Sequence, residues 1–269
     1  DVNEAVLAAD KARDNWSSLS LDERRKWLEK IANALEARSE EIAKLESLDT
    51  GKPIKIARAV DASRSVANFR FFAEFSKDFH EQKFLMEDAT NHVIFKPVGI
   101  AGLITPWNLP LYLLSWKIAP AIVMGNTVVA KPSELTPLTA NLLAEVFDEV
   151  GLPAGVVNIV HGFGHETGQA IVSHPLVNLI SFTGGTITGK KVAETAAPMF
   201  KKLSLELGGK NATIVLDDVN LDSAIPEIAR SGFLNQGQVC LCGSRILVSD
   251  KIWDDFLEKF IDHVSDMKV

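Results

Sequence analysis

Cysteine is almost absent from this chain, and the two present, Cys240 and Cys242, are separated by a single residue. They are too close for an ordinary unstrained disulfide and too few for a structural zinc site. A disulfide-stapled secreted domain is therefore excluded, and a reducing, cytoplasmic setting is expected. A basic surplus is also lacking. The formal net charge is -7, with acidic residues spread along the chain, which argues against nucleic acid or an anionic membrane surface as partner. The six histidines, His80, His92, His161, His165, His174 and His263, show no ligand spacing such as H-E-x-x-H, so no metal site is expected. No internal repeat or low-complexity segment occurs. Asp1-Val2-Asn3-Glu4 leads into an amphipathic pattern, which reads as helix and not as a secretory signal.

One stretch imitates a membrane span. Pro97 to Trp116 carries no charged residue, but Pro97, Pro106 and Pro110, with Gly99, Gly102 and Asn108, would leave backbone groups unpaired in lipid. A buried strand, a turn and a helix start are expected there instead.

At 269 residues with 46% hydrophobic content, the chain can bury a large core. The first eighty residues place Val6, Leu7, Trp27, Leu28, Ile31, Leu35, Ile42 and Leu45 at helical intervals. Asp49-Thr50-Gly51-Lys52-Pro53 ends one helix and opens another, which runs past Arg58 and Arg64 to Phe69, Phe71, Phe72 and Phe75, read as core packing. From Val98 the texture changes. Apolar runs at Gly99 to Thr105, Thr127 to Lys131, Val156 to Val160 and Leu179 to Phe182 alternate with helical patterns at Leu111 to Met124, Pro137 to Val150 and Glu166 to Ser173. This alternation predicts an α/β fold, a Rossmann-like, mostly parallel sheet with helices on both faces. Such sheets bind ligands at the carboxyl ends of their strands, where Asn108, Lys131 and Gly184 fall. After Gly208-Gly209 a second α/β unit begins, with a strand Ala212 to Leu216, a helix Leu221 to Leu234, a cysteine loop and a strand Arg245 to Val248. The expected boundaries are 1–207 and 208–269.

Several residues bear reactive or ligand-binding groups, each with an ordinary alternative. Cys240 in Asn235-Gln236-Gly237-Gln238-Val239-Cys240 is a nucleophile or an inert thiol. Glu206 in Leu205-Glu206-Leu207-Gly208-Gly209-Lys210 leaves its strand opposite its apolar neighbours, as a base or as a solvated carboxylate. Asn108, at the end of an expected buried strand, could on its own be a helix cap for Leu109 onward. Gly184-Gly185-Thr186-Ile187-Thr188-Gly189 lies between a strand and a helix, a phosphate loop or a plain turn. Lys131 and Glu134 follow a strand, as ligands or as surface charges.

Taken together, Ile104-Thr105-Pro106-Trp107-Asn108, Lys131-Pro132-Ser133-Glu134, Phe182-Thr183-Gly184 and the glutamate and cysteine motifs resemble the aldehyde dehydrogenase superfamily in order and spacing, over nearly the whole chain. The resemblance implies an NAD-dependent enzyme oxidising an aldehyde to an acid through a cysteine thiohemiacetal and thioester. It makes Cys240 the nucleophile and Cys242 a bystander, Glu206 the base for thioester hydrolysis, and Asn108 an oxyanion donor beside the cysteine backbone N–H. Thr105, Pro106, Trp107, Lys131, Ser133, Glu134, Gly164, Phe182, Thr183, Gly184, Gly185, Gly189 and Leu207 are implied to line the NAD cleft, with Lys131 and Glu134 on the adenosine ribose. Many members have serine where this chain has Gly185. Within the family, Asp61 to Phe72 and Val239 to Cys242 resemble the 2-aminomuconic and 2-hydroxymuconic semialdehyde dehydrogenases. For such a substrate Arg64 is the candidate carboxylate partner, the alternative being a surface pair with Asp61. A betaine-aldehyde-like or broad-specificity enzyme, or an inactive fragment, stays open. Family chains are longer, so the rest of the catalytic domain and the subunit-bridging segment are expected beyond this sequence. The whole protein is expected to be a homo-oligomer, a homotetramer, with a small-molecule aldehyde as its substrate.

Overall fold

The computed structural model describes residues 1–79 and 81–267. The chain forms two compact units, Asp1–Glu206 and Leu207–Val269.

The first unit opens with helices α1 (Val2–Ser18), α2 (Leu21–Ala37) and α3 (Ser39–Thr50). Ser20 and Glu23 exchange hydrogen bonds with each other's backbone N–H, a capping box that starts α2. Gly51, at φ 74°, stops α3 in the left-handed conformation glycine tolerates best. A single turn, α4 (Ile54–Ile56), leads through a π-helical turn at Ala57–Ala62 into α5 (Ser63–Phe75). An antiparallel hairpin follows, β1 (Gln82–Leu85) with β2 (Thr90–Val93). Its residues are all exposed, so no alternation marks it in the sequence.

The remainder of this unit is the alternating part: β3 (Ile100–Ile104), α6 (Pro110–Val123), β4 (Thr127–Lys131), α7 (Leu138–Glu149), β5 (Val157–Ile159), α8 (Gln169–Ser173), β6 (Val177–Gly184), α9 (Thr186–Ala196) and β7 (Lys202–Leu207). The sheet order is β5-β4-β3-β6-β7, and the pairs β3/β4, β3/β6 and β4/β5 are parallel. Both β3 and β4 are buried along their whole length, which is why they read as continuous apolar runs. Leu28, Ile31, Leu35, Phe69, Leu114, Ile118, Leu143 and Val146 join Leu103 and Val128 in one core. Leu28 and Ile118 are fully enclosed, and each such burial contributes about 1.5–3 kcal/mol. The indole N–H of Trp16 donates to the Ile122 carbonyl at 2.9 Å, tying α1 to the end of α6.

Two expectations need correction. Only Phe69 of the aromatic group is fully buried; Phe71 and Phe75 are 50% and 57% exposed. Their spacing places them on a face turned from Phe69, where Phe71 stacks on Phe75 and on Trp116. The helix expected from Glu166 begins at Gln169, because Gly164–Gly168 forms a π-helical turn first.

In the second unit, β8 (Ala212–Val215) pairs in parallel with β9 (Arg245–Val248), joined by α10 (Leu221–Phe233) and followed by α11 (Trp253–Ser265). Val215, Leu221, Ile225, Ile228 and Phe256 form its core. Among the described residues no helix is long and apolar enough to cross a membrane.

Candidate active site

The strand order reverses between β3 and β6: β4 and β5 extend the sheet on one side of β3, β6 and β7 on the other. Loops leaving neighbouring strands at such a point diverge and open a crevice at the carboxyl ends. Ile104, the last residue of β3, is in register with Lys131 on one side and Phe182 on the other. Three sequence motifs therefore begin in one row.

Thr105 extends the row by donating its backbone N–H to the Lys131 carbonyl at 3.1 Å, and it is buried. Pro106 and Trp107 follow, the indole 40% exposed. The Asn108 carbonyl accepts a 3.2 Å hydrogen bond from the buried Lys52 ammonium. The N-cap of α6 is Leu109, with Pro110 at the first helical position, so the helix-cap alternative for Asn108 is set aside.

Lys131 is 2% exposed, which corrects the surface-charge alternative. Its ammonium donates to the Pro132 carbonyl at 2.8 Å and to Glu134 at 2.9 Å. Partial burial alone would raise the Glu134 carboxyl; the Lys131 hydrogen bond, with backbone N–H groups that include Gly164, holds it below the usual range. Ser133 is buried, and its hydroxyl accepts the Leu135 backbone N–H.

Beyond β6, Gly185 caps α9 with no side-chain hydrogen bond, and the first turn of α9 has no acidic residue. The N–H groups at that end are donors suited to an anion. The two loop glycines differ. A Cβ on Gly184 would lie 2.5 Å from the tip of the Phe182 ring, whereas one on Gly185 would meet nothing within 4 Å. Thr183 precedes them on β6, and Gly189 is buried, donating its N–H to the Gly185 carbonyl at 2.9 Å.

Glu206 lies on the exposed face of β7 and Leu207 on its half-buried face. Nearby in the same unit is a lysine that sequence reading passed over, Lys117. It is 7% exposed and donates to the Ser181 hydroxyl at 2.7 Å. Burial pushes its ammonium down to about 8, and the Glu206 charge works in the opposite direction. Its signal was a lone lysine on the otherwise apolar helix Pro110–Val123.

In the second unit, Asn235, Gln236 and Gly237 all take positive φ, at 54°, 57° and 73°. Two of these are not glycine, so the backbone ahead of the cysteines is strained. Cys240 is exposed and Cys242 buried. The Asn211 amide holds the loop, donating to the carbonyls of Cys240 at 2.7 Å and Cys242 at 3.4 Å.

Arg64 stands apart from the strand ends, on α5. Its guanidinium lies 5.4 Å from the Tyr112 ring centre and 3.4 Å from the hydroxyl. The alternative pairing with Asp61 does not occur, since Asp61 is buried against Lys52, and among the described residues Arg64 has no carboxylate partner. Nor do the described residues contain a cluster of three or more histidine, cysteine or acidic side chains able to hold a metal; His80 lies outside them.

The family model described as "Aldehyde dehydrogenase family" matches residues 1–269. Human 2-aminomuconic semialdehyde dehydrogenase is 51% identical over 271 residues, covering 100% of this chain and 56% of that protein. The 2-hydroxymuconic semialdehyde dehydrogenase of Pseudomonas sp. (strain CF600) is 46% identical, covering 96% and 55%. The NAD+ complex of the aldehyde dehydrogenase from Bacillus cereus superposes with a TM-score of 0.96 at 39% identity, covering 100% of this chain and 55% of that one. This chain thus spans about half the length of the relatives it matches.

Proposed function

The chain belongs to the aldehyde dehydrogenase family, and from that membership we propose that the whole protein is an NAD-dependent dehydrogenase converting a muconic-type semialdehyde to its carboxylic acid. In this reading the Cys240 thiolate adds to the aldehyde carbon. The family resemblance assigns the Asn108 amide and the Cys240 backbone N–H as donors to the oxyanion that forms in the whole enzyme, and one such donor is typically worth about 10²–10³ in rate. When bound, NAD would supply the acceptor for the hydride that leaves the adduct carbon, which becomes a thioester. Glu206 then takes a proton from water, whose oxygen attacks the thioester carbon, releasing the acid and the thiolate. The observation that carries this reading is the contrast between an exposed Cys240, held by its carbonyl on a strained loop, and a buried Cys242 two residues later.

For the cofactor, the uncapped amino end of α9 supplies donors for a pyrophosphate. The buried Lys131 and the Glu134 carboxylate supply polar groups for a ribose. Thr105 fits the same cleft: its hydroxyl is buried with no hydrogen-bond partner in the described structure. The full-length protein is read as a cytoplasmic homotetramer, supported by the near absence of cysteine and by the family resemblance.

Substrate choice rests on Arg64, a guanidinium without a carboxylate, beside Tyr112, in a chain resembling two muconic semialdehyde enzymes. An arginine fork pairs bidentately with a carboxylate. In the full-length enzyme, Arg64→Ala is expected to raise KM for an acidic semialdehyde at least tenfold more than for a neutral aldehyde, about 1.4 kcal/mol. Equal effects on the two would refute the assignment.

A further inference from the structure

Three ionisable side chains with almost no access to solvent lie behind Asn108. Glu46 and Asp61 are 0% exposed and Lys52 is 1% exposed. The Lys52 ammonium sits 2.9 Å from both Asp61 oxygens and 4.0 Å from Glu46. A buried ion pair is weak evidence for stability, because desolvation offsets the attraction and an apolar replacement is often as stable. Two carboxylates around one ammonium are more costly still. What distinguishes this cluster is where its remaining hydrogen bonds go.

Lys52 gives its further donor to the Asn108 carbonyl at 3.2 Å. One Glu46 oxygen accepts the Leu111 backbone N–H at 3.0 Å and the Thr139 hydroxyl at 2.7 Å. Leu111 N–H belongs to the first turn of α6, whose donors have no partner within the helix. Glu46 thus caps α6 from α3, while Lys52 fixes the peptide ahead of it. Asp61 reaches Lys52 from the π-helical turn Ala57–Ala62, a local widening of the helix of the kind often found at functional sites. Asn68 adds a 3.0 Å hydrogen bond to the Tyr112 carbonyl.

We propose that Lys52, oriented by Asp61 and assisted by Glu46, is a positioning residue that holds the Asn108 peptide so that the Asn108 side-chain amide is aimed at the reacting carbonyl oxygen. This rests on the reading of Asn108 as the oxyanion donor. Among the described residues the cluster reaches this segment through the Asn108 carbonyl and the Leu111 backbone N–H, so its contribution is geometric. A displacement of about 1 Å at a reacting group can cost about 10²-fold.

The test is a double-mutant cycle in the full-length enzyme between Asn108→Ala and the apolar pair Lys52→Met/Asp61→Leu, reading kcat, cofactor affinity and Tm. The pair alone is expected to lower kcat about 10²-fold, with cofactor Kd changed less than threefold. Combined with Asn108→Ala it should cause less than a threefold further loss, since the donor it positions is gone. Multiplying losses would overturn the proposal and leave the cluster a structural one. Asn108→Ala with undiminished kcat would overturn the reading beneath it. If the apolar pair does not fold, Lys52→Gln/Asp61→Asn carries the same cycle. The glutamine amide can still donate to Asn108, so about a tenfold loss is expected alone, again absorbed when Asn108 is alanine. A loss that persists in that background counts against the proposal.

Discussion

The Lys131 ammonium, buried at the end of β4, donates a 2.9 Å hydrogen bond to Glu134, whose carboxylate stays partly open to solvent. The lysine charge is thereby matched, and the exposed edge of the pair is anionic. A ribose with free hydroxyls can donate to that carboxylate, whereas a 2′-phosphate would be repelled at close range. The full-length enzyme should therefore give a higher kcat/KM with NAD than with NADP, and Glu134→Gln should narrow the ratio. A wild-type preference for NADP would refute this account of the pair.

The two loop glycines should respond differently to substitution. Gly184→Ala places a methyl group against the tip of the Phe182 ring, which is buried, at 2.5 Å. It should destabilise by about 1–3 kcal/mol, as overpacking does. Gly185→Ser meets nothing within 4 Å and should change Tm little, while its hydroxyl tightens cofactor binding by adding a phosphate donor. Thermal melts and cofactor titrations decide both, and a Gly185→Ser protein that loses stability would show that the loop is tighter than described.

Stability should fall with rising pH through the buried cluster. Burial first, then the Asp61 charge, push the Glu46 carboxyl up to about 7 from 4.5, against the pull of the Thr139 hydroxyl, the Leu111 N–H and the Lys52 ammonium. Since the folded-state value is the higher one, the stabilising contribution is full below about pH 4.5 and is lost as pH rises through about 7. Glu46→Gln keeps an acceptor for Leu111 N–H and removes the titration. Its Tm should decline less than that of the wild type between about pH 5 and pH 8. Parallel curves would contradict the shift.

Much of this was legible in the sequence for a physical reason. Strands buried on both faces must be continuously apolar, so Thr127 to Lys131 was located to the residue and Ile100–Ile104 to within one at each end; Arg245 to Val248 was also located to the residue, although its burial alternates. The site motifs were legible because they fall where those strands stop. The hairpin Gln82–Val93 was not, since every residue in its strands is exposed and no face alternates. The cluster of Glu46, Lys52 and Asp61 was missed for the opposite reason. Glu46 and Asp61 fall in helical patterns and read as a solvated face, Lys52 falls in the turn between two helices, and only the tertiary packing shows all three enclosed. Lys117 was passed over although a single charge on an otherwise apolar helix marks it.

The central claim is the division of labour between Cys240 and Glu206, tested most directly by rapid mixing of the full-length Glu206→Gln enzyme with aldehyde and NAD. The account predicts about one NADH per site in a fast phase, then a slow phase with trapped acyl-enzyme. Cys240→Ala should give no burst, and Cys242→Ala should retain most of the activity. A Glu206→Gln enzyme that hydrolyses its thioester at the wild-type rate, or a Cys240→Ala enzyme that turns over while Cys242→Ala is inactive, would contradict it.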